Sequence, residues 1–192
     1  IVNEPTAAAL YYAVTQEVKG RIMVFDLGGG TFDVTIMDVA GKKIDIVCSK
    51  GDHQLGGYDF NQKIVELFDE EYKKAHKRSL YARPEDRARY EIQAEDAKKT
   101  LSKRPKAKIL LRGEAGDLPF ELAREDFEEE ISAYIAKIEM LVEDALEEAG
   151  NKPSEIDKVL LVGGSSRMPI VQSRLEKMFG FAPTTAVNVD EC

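Results

Sequence analysis

The chain has 192 residues, 43% apolar and 32% charged, with a formal net charge of −8. That length suits one sizeable core, or a core with an appendage, and the balance argues against wholesale disorder. The negative charge speaks against a binder of nucleic acid or anionic membrane, and no apolar run approaches the roughly 20 residues of a membrane helix.

Residues 3–14 read as a helix, with Pro5 in its first turn and an Ala-rich body. Residues 21–26 are a β-branched and aromatic run that ends in Gly28-Gly29-Gly30. Residues 31–38 and 43–48 each alternate apolar with polar side chains, the period of a half-buried strand. Three strands joined by short turns predict an antiparallel meander. After a loop at 51–57, Phe60, Ile64, Leu67, Phe68 and Tyr72 recur at helical spacing. Pro84 opens a second helix over 84–101, with Tyr90, Ala94, Ala97 and Leu101 on one stripe. Strands at 107–111 and 118–122 flank a turn at 113–116. One long amphipathic helix follows, carrying Phe127, Ile131, Ile135, Ile138, Val142 and Ala145 on its apolar face, and Gly150 stops it. Residues 158–162 read as a buried strand, 163–166 as a turn and 168–179 as a helix. The basic stretch at 73–108 and the acidic one at 114–148 read as solvated helix faces rather than binding patches. The expected organisation is a sheet body from 1–54 and 126–192, with 55–125 as an inserted subdomain.

Two glycine loops carry the chemistry. In the first, Asp26-Leu27-Gly28-Gly29-Gly30-Thr31-Phe32-Asp33, a strand follows rather than a helix, and no Gly-Lys-Ser/Thr is present, so it is neither a dinucleotide fingerprint nor a P-loop. Three glycines at a hairpin tip expose successive N–H groups as a nest for an anion, and without side chains a phosphate approaches closely. An ordinary Gly-rich turn would use the same residues, but a hairpin turn needs only one or two glycines. Asp26 and Asp33 would repel a phosphate unless a cation lay between, which points to Mg²⁺ held mostly through water. The second loop, Gly163-Gly164-Ser165-Ser166-Arg167, joins a strand to a helix N-terminus, suited to phosphate or ribose oxygens. Such turns are also common in α/β proteins without a ligand. Glu95, Lys98, Lys99 and Ser102 share one helix face, which on its own reads as solvated. His53 and His76 read as surface residues and Cys48 as core. Cys48 and Cys192 form no closely spaced pair, so neither a zinc knuckle nor a disulfide framework is expected and a reducing, cytoplasmic compartment fits. The first residues carry no signal-peptide pattern. With no initiator Met and an abrupt end, the chain is expected to be a piece of a longer protein.

Five segments together resemble the nucleotide-binding domain of the DnaK-type heat-shock chaperones: NEPTAAAL at 3–10, FDLGGGTFDV at 25–34, LGGYDF at 55–60, EDAKKTLS at 95–102 and LVGGSSRMP at 161–169. The resemblance covers essentially the whole chain and matches the second of that domain's two lobes. It implies an α/β fold: an actin-like ATPase (ribonuclease H-like) lobe with a mixed β-sheet flanked by helices, plus an inserted α+β subdomain. It also implies ATP/ADP and Mg²⁺ as cofactors. On this likeness Gly28, Gly29, Gly30 and Thr31 hold the β/γ-phosphates, and Thr31 helps orient the attacking water. Asp26 and Glu4 organise Mg²⁺ and its waters, with Asp33 nearby. Gly163, Gly164, Ser165 and Arg167 line the adenosine. Glu95, Lys98, Lys99 and Ser102 reach it as well, Asp190 closes the pocket, and Gly57 sits near the phosphates at a hinge. Lys99, Tyr58 and Val189 depart from the family's usual Arg, acidic residue and Pro.

The implied partners are the first lobe and a peptide-binding domain in the parent chain, J-domain and nucleotide-exchange co-chaperones, and unfolded client peptides. The parent would be an ATPase that couples hydrolysis to peptide binding in protein folding. The isolated lobe would be inactive. The alternatives are a degenerate lobe acting as an interaction module, and a sugar-kinase or actin-type relative, for which no sugar-site carboxylate is found.

Overall fold

The computed structural model describes residues 19–41, 43–81 and 84–185. The helix expected at 3–14, with Glu4, lies outside them, as do Val189, Asp190 and Cys192. The chain divides into two compact units, Ile1–Gly57 with Tyr134–Cys192, and Tyr58–Ala133. The divisions fall at 57/58 and 133/134, where the sequence placed them at 54/55 and 125/126.

In the first unit, β1 (Lys19–Leu27), β2 (Phe32–Ala40) and β3 (Lys43–Asp52) form the antiparallel meander. β6 (Lys158–Val162) pairs parallel with β1, and β7 (Thr184–Thr185) with β6, so the mixed sheet runs β3-β2-β1-β6-β7. β1 is the central strand. Its Ile22, Met23, Val24 and Phe25 are all fully buried, which explains an unbroken apolar run instead of an alternating one. Ile22 and Val24 join Met37, Val39 and Leu160 in one cluster. On the other face Phe25 lines a small apolar cavity with Ile135, Ile138 and Val142 of α4 (Ser132–Glu148) and Val171 and Leu175 of α5 (Pro169–Phe179). Gly180, at φ +79°, ends α5 in the left-handed conformation.

β3 runs past the apolar alternation. Its polar half pairs with β2 through Ser49 and Thr35, whose hydroxyls lie 2.9 Å apart. Val47 is the extra residue of a bulge, because Ile36 faces Cys48 while Met37 faces Ile46. Arg21 clamps the far end of β1. It donates from Nε and Nη2 to the Asp38 carboxylate at 2.9 and 2.7 Å and from Nη1 to Asn151 Oδ1 at 2.7 Å. The Arg21 hydrogen bond holds the Asp38 carboxyl below its usual range.

The second unit holds the rest of α1 (Gly57–His76), then α2 (Pro84–Lys103), the hairpin β4 (Lys106–Gly113) and β5 (Gly116–Ala123), and α3 (Arg124–Glu130). Two buried tyrosines pin the hairpin to the helices. Tyr72 Oη accepts from Ala115 N–H and donates to Gly116 O, and Tyr90 Oη accepts from Arg112 N–H and donates to its carbonyl. Gly113 must lack a side chain here, since a Cβ would lie 2.4 Å from the Tyr72 ring. His76 is not the plain surface residue expected. It stacks on Tyr72 with ring centroids 4.4 Å apart.

The long amphipathic helix is two helices. Ile131 adopts φ −94°, ψ 3° and breaks the run between α3 and α4. Ser132, a residue that favours helix starts over interiors, begins the second. The apolar stripe passes straight through the break because Ile131 is itself buried, which hides it from periodicity.

Candidate functional site

β1 and β6 are parallel neighbours, with Asp26 opposite Val162. Both glycine loops therefore leave the sheet at adjacent carboxyl ends, the place where open α/β sheets bind ligands. The tip after β1 is held from two sides. Gly28 N–H donates to Thr31 O, and Gly28 O accepts from Gly57 N–H, each at 3.0 Å. Gly56 packs against the same tip so closely that a Cβ would fall 2.6 Å from Gly30 N. The segment 55–57 is thus a brace for the loop, and Gly56 is required by it. The second loop abuts the stem of the first. Gly163 has φ +81°, and a Cβ there would lie 2.4 Å from Leu27 O and 2.8 Å from Asp26 Oδ1.

The glycines sort by cause. Apart from Gly57, each of the others either has a left-handed φ or leaves no room for a Cβ, except Gly28, Gly29, Gly30 and Gly164. At Gly29, Gly30 and Gly164 a Cβ would meet nothing within 4 Å among the described residues. Neither backbone conformation nor packing asks for glycine at these positions, and all four lie at the carboxyl ends of β1 and β6. Gly29 and Gly30 are exposed, and their N–H groups have no acceptor among the described residues. A cradle that a Cβ would narrow, with N–H donors lining it, fits a phosphate.

Asp26 and Asp33 are paired across β1 and β2, which puts both carboxylates on one face. They lean apart. Asp26 turns toward Gly163, whereas Asp33 lies over Gly51, where a Cβ would come 2.5 Å from its Oδ1. Only Asp26 stands where the two loops meet. A single carboxylate suits Mg²⁺, which keeps several waters, and among the described residues no group of three or more His, Cys, Asp or Glu side chains is placed to hold a metal.

After Gly164 the chain makes a 3₁₀ turn, Ser165–Arg167, with Ser165 and Ser166 buried. Ser166 Oγ donates to Gly163 O at 2.6 Å and fixes the loop. α5 then starts with Pro169 in its first turn.

In the second unit, the helix face expected to be solvated is so only in part, with Lys99 mostly exposed. Lys98 is only 6% exposed. Its Nζ lies 2.7 Å from Glu95 Oε2, and Lys99 Nζ lies 3.5 Å from Glu95 Oε1. Asn61 of α1 donates from Nδ2 to Glu95 Oε2 at 2.8 Å, a contact no sequence spacing announces. Burial would raise the Glu95 carboxyl, but hydrogen bonds from Lys98 and Asn61 outweigh it and hold it below the usual carboxylate range. Burial pushes the Lys98 ammonium down, against the pull of Glu95. Ser102 Oγ donates back to Lys98 O at 3.1 Å.

No helix of the described residues is long and apolar enough to cross a membrane. The family model described as Hsp70 protein matches the chain over residues 1–192.

Proposed function

The chain belongs to the Hsp70 family, and from that premise we propose that it is the second lobe of a DnaK-type nucleotide-binding domain that binds ATP and ADP with Mg²⁺. The observation that carries this reading is the gathering, at the carboxyl ends of β1 and β6, of the four glycines that the fold itself does not need.

Each residue then has a task. Gly28, Gly29, Gly30 and Thr31 hold the β- and γ-phosphates: Gly29, Gly30 and Thr31 receive their oxygens on backbone N–H groups, and Gly28, whose own N–H closes the turn on Thr31 O, leaves the approach clear of a side chain. Asp26, with Glu4, anchors the water shell of the metal. Bound Mg²⁺ neutralises charge on the phosphate oxygens. Asp33 lies toward β3 and adds negative potential to the same face. Thr31 orients the attacking water. Gly163, Gly164, Ser165 and Arg167 hold the adenosine, and Glu95, Lys98, Lys99, Ser102 and Asp190 are assigned to the nucleoside by the same likeness. Gly57 acts through the phosphate loop, by way of its hydrogen bond to Gly28.

Phosphoryl transfer is mostly positioning and charge stabilisation around the γ-phosphate. Turnover would therefore need the other lobe of the parent protein. There hydrolysis would couple to a peptide-binding domain, with J-domain and nucleotide-exchange co-chaperones and unfolded peptides as partners, in a cytoplasmic setting. A nucleotide-free interaction module is the weaker reading, because it gives the unneeded glycines no purpose.

Titration of the full-length protein with a fluorescent ADP analogue tests this. Binding at least about tenfold tighter in Mg²⁺ than in chelator is expected, a difference of about 1.4 kcal/mol. Absence of binding under both conditions would overturn the nucleotide reading.

A further inference from the structure

We infer that Asn61 is a positioning residue for the nucleoside: its amide pins one oxygen of Glu95 so that the other faces outward to accept a hydrogen bond from the ribose hydroxyls. The inference rests on the nucleotide reading above and adds to it a residue from a different helix.

Glu95 Oε2 accepts two hydrogen bonds, from Asn61 Nδ2 at 2.8 Å and from Lys98 Nζ at 2.7 Å. Both donors are buried, Asn61 being 9% and Lys98 6% exposed. Glu95 Oε1 has only the looser approach of Lys99 at 3.5 Å, and Lys99 is itself mostly exposed. The carboxylate is therefore saturated on its inner oxygen and open on its outer one. An open carboxylate oxygen takes a hydroxyl donor, the way an acidic side chain reads a nucleotide ribose.

Asn61 does nothing else with its head group. Its Oδ1 is buried with no hydrogen-bond partner among the described residues, so the bond to Glu95 alone sets the amide's orientation. A buried acceptor left unpaired is costly, and a residue whose only task was to fill space between α1 and α2 would serve better as leucine. The charged groups acting on Glu95 are Lys98 and Lys99 of its own helix, and Asn61 is the contribution from α1. Without Asn61, Glu95 is held only by groups of its own helix. Its side chain then has freedom to turn Oε1 inward toward Lys98, and the ribose loses its acceptor.

The test compares Asn61→Leu and Asn61→Ala with wild type in the full-length protein, using ADP and 2′,3′-dideoxy-ADP, each with Mg²⁺. Leucine keeps the volume and alanine does not, so a packing defect separates the two variants while a positioning role makes them agree. The wild type is expected to prefer ADP over the dideoxy analogue. Both variants should bind ADP about tenfold more weakly, the loss of one hydrogen bond to a charged group, and bind the analogue as wild type does. Equal weakening for both nucleotides would mean a structural role and overturn the inference. So would unchanged ADP affinity in both variants. A wild type that binds neither nucleotide would instead remove the nucleotide reading on which the inference stands.

Discussion

Replacing Gly29 with valine is expected to weaken Mg·ADP binding more than about 100-fold, at least about 2.7 kcal/mol, while the melting temperature stays within a few degrees of wild type. Both halves of that result come from one site. Gly29 has no left-handed φ, it is exposed, and a Cβ there meets nothing within 4 Å among the described residues. A valine is therefore accommodated, and an exposed substitution away from packing usually shifts stability by no more than about 0.5 kcal/mol. The same side chain stands where a phosphate must come to within hydrogen-bond distance of the backbone, and two branched methyls block that approach. Gly56 supplies the contrast. An alanine there collides with Gly30 backbone at about 2.6 Å, so Gly56→Ala should lower stability and binding together. A Gly29→Val protein that binds Mg·ADP as tightly as wild type would show that the loop is only a turn. Calorimetric binding with a thermal melt on the same sample reads both quantities.

Asp26→Asn in the full-length protein should lower kcat for ATP hydrolysis by about two to three orders of magnitude and ADP affinity by less than about tenfold. The asparagine is nearly isosteric, so the close fit of Asp26 against Gly163 is kept. What is lost is the negative charge that anchors the metal's waters, and that charge matters most where the transferring phosphoryl group is most polarised. Ground-state affinity comes largely from N–H groups that the substitution does not touch. Asp33→Asn serves as the comparison, because Asp33 leans toward Gly51 and away from the meeting point of the loops. Its effect on kcat should be the smaller of the two. Parallel losses of kcat and affinity at Asp26, or a larger effect at Asp33, would contradict this division.

The strands and helices were largely legible because their signal is local. Alternation at 31–38 and the β-branched and aromatic run at 21–26 mark β2 and β1, and Gly150 and Gly180 end helices at left-handed φ. β7 escaped notice because two threonines after Pro183 carry no period. The break at Ile131 escaped because a buried residue there continues the stripe. The loops stood out by composition, but not which glycines the fold needs. Gly56 and Gly163 are demanded by contacts with Gly30 and Leu27, residues far away in sequence, while Gly29 and Gly164 are demanded by nothing in the fold. The opposite lean of Asp26 and Asp33 depends on the third strand and on β6. Asn61 lies 34 residues from Glu95, so only the packing of α1 against α2 unites them. A polar residue on a polar helix face gave no hint that Lys98 is buried.

The central claim is that the carboxyl ends of β1 and β6 hold the nucleotide on backbone N–H groups. Residue-resolved amide hydrogen exchange of the full-length protein, with and without Mg·ADP, tests it most directly. The exposed N–H groups of Gly29 and Gly30, which have no acceptor among the described residues, should exchange rapidly without ligand. With Mg·ADP they should slow by an order of magnitude or more, together with 164–167, while the already bonded Gly28 N–H and the β2–β3 ladder stay as they were. Saturating Mg·ADP that leaves Gly29 and Gly30 exchanging at the ligand-free rate would contradict the account.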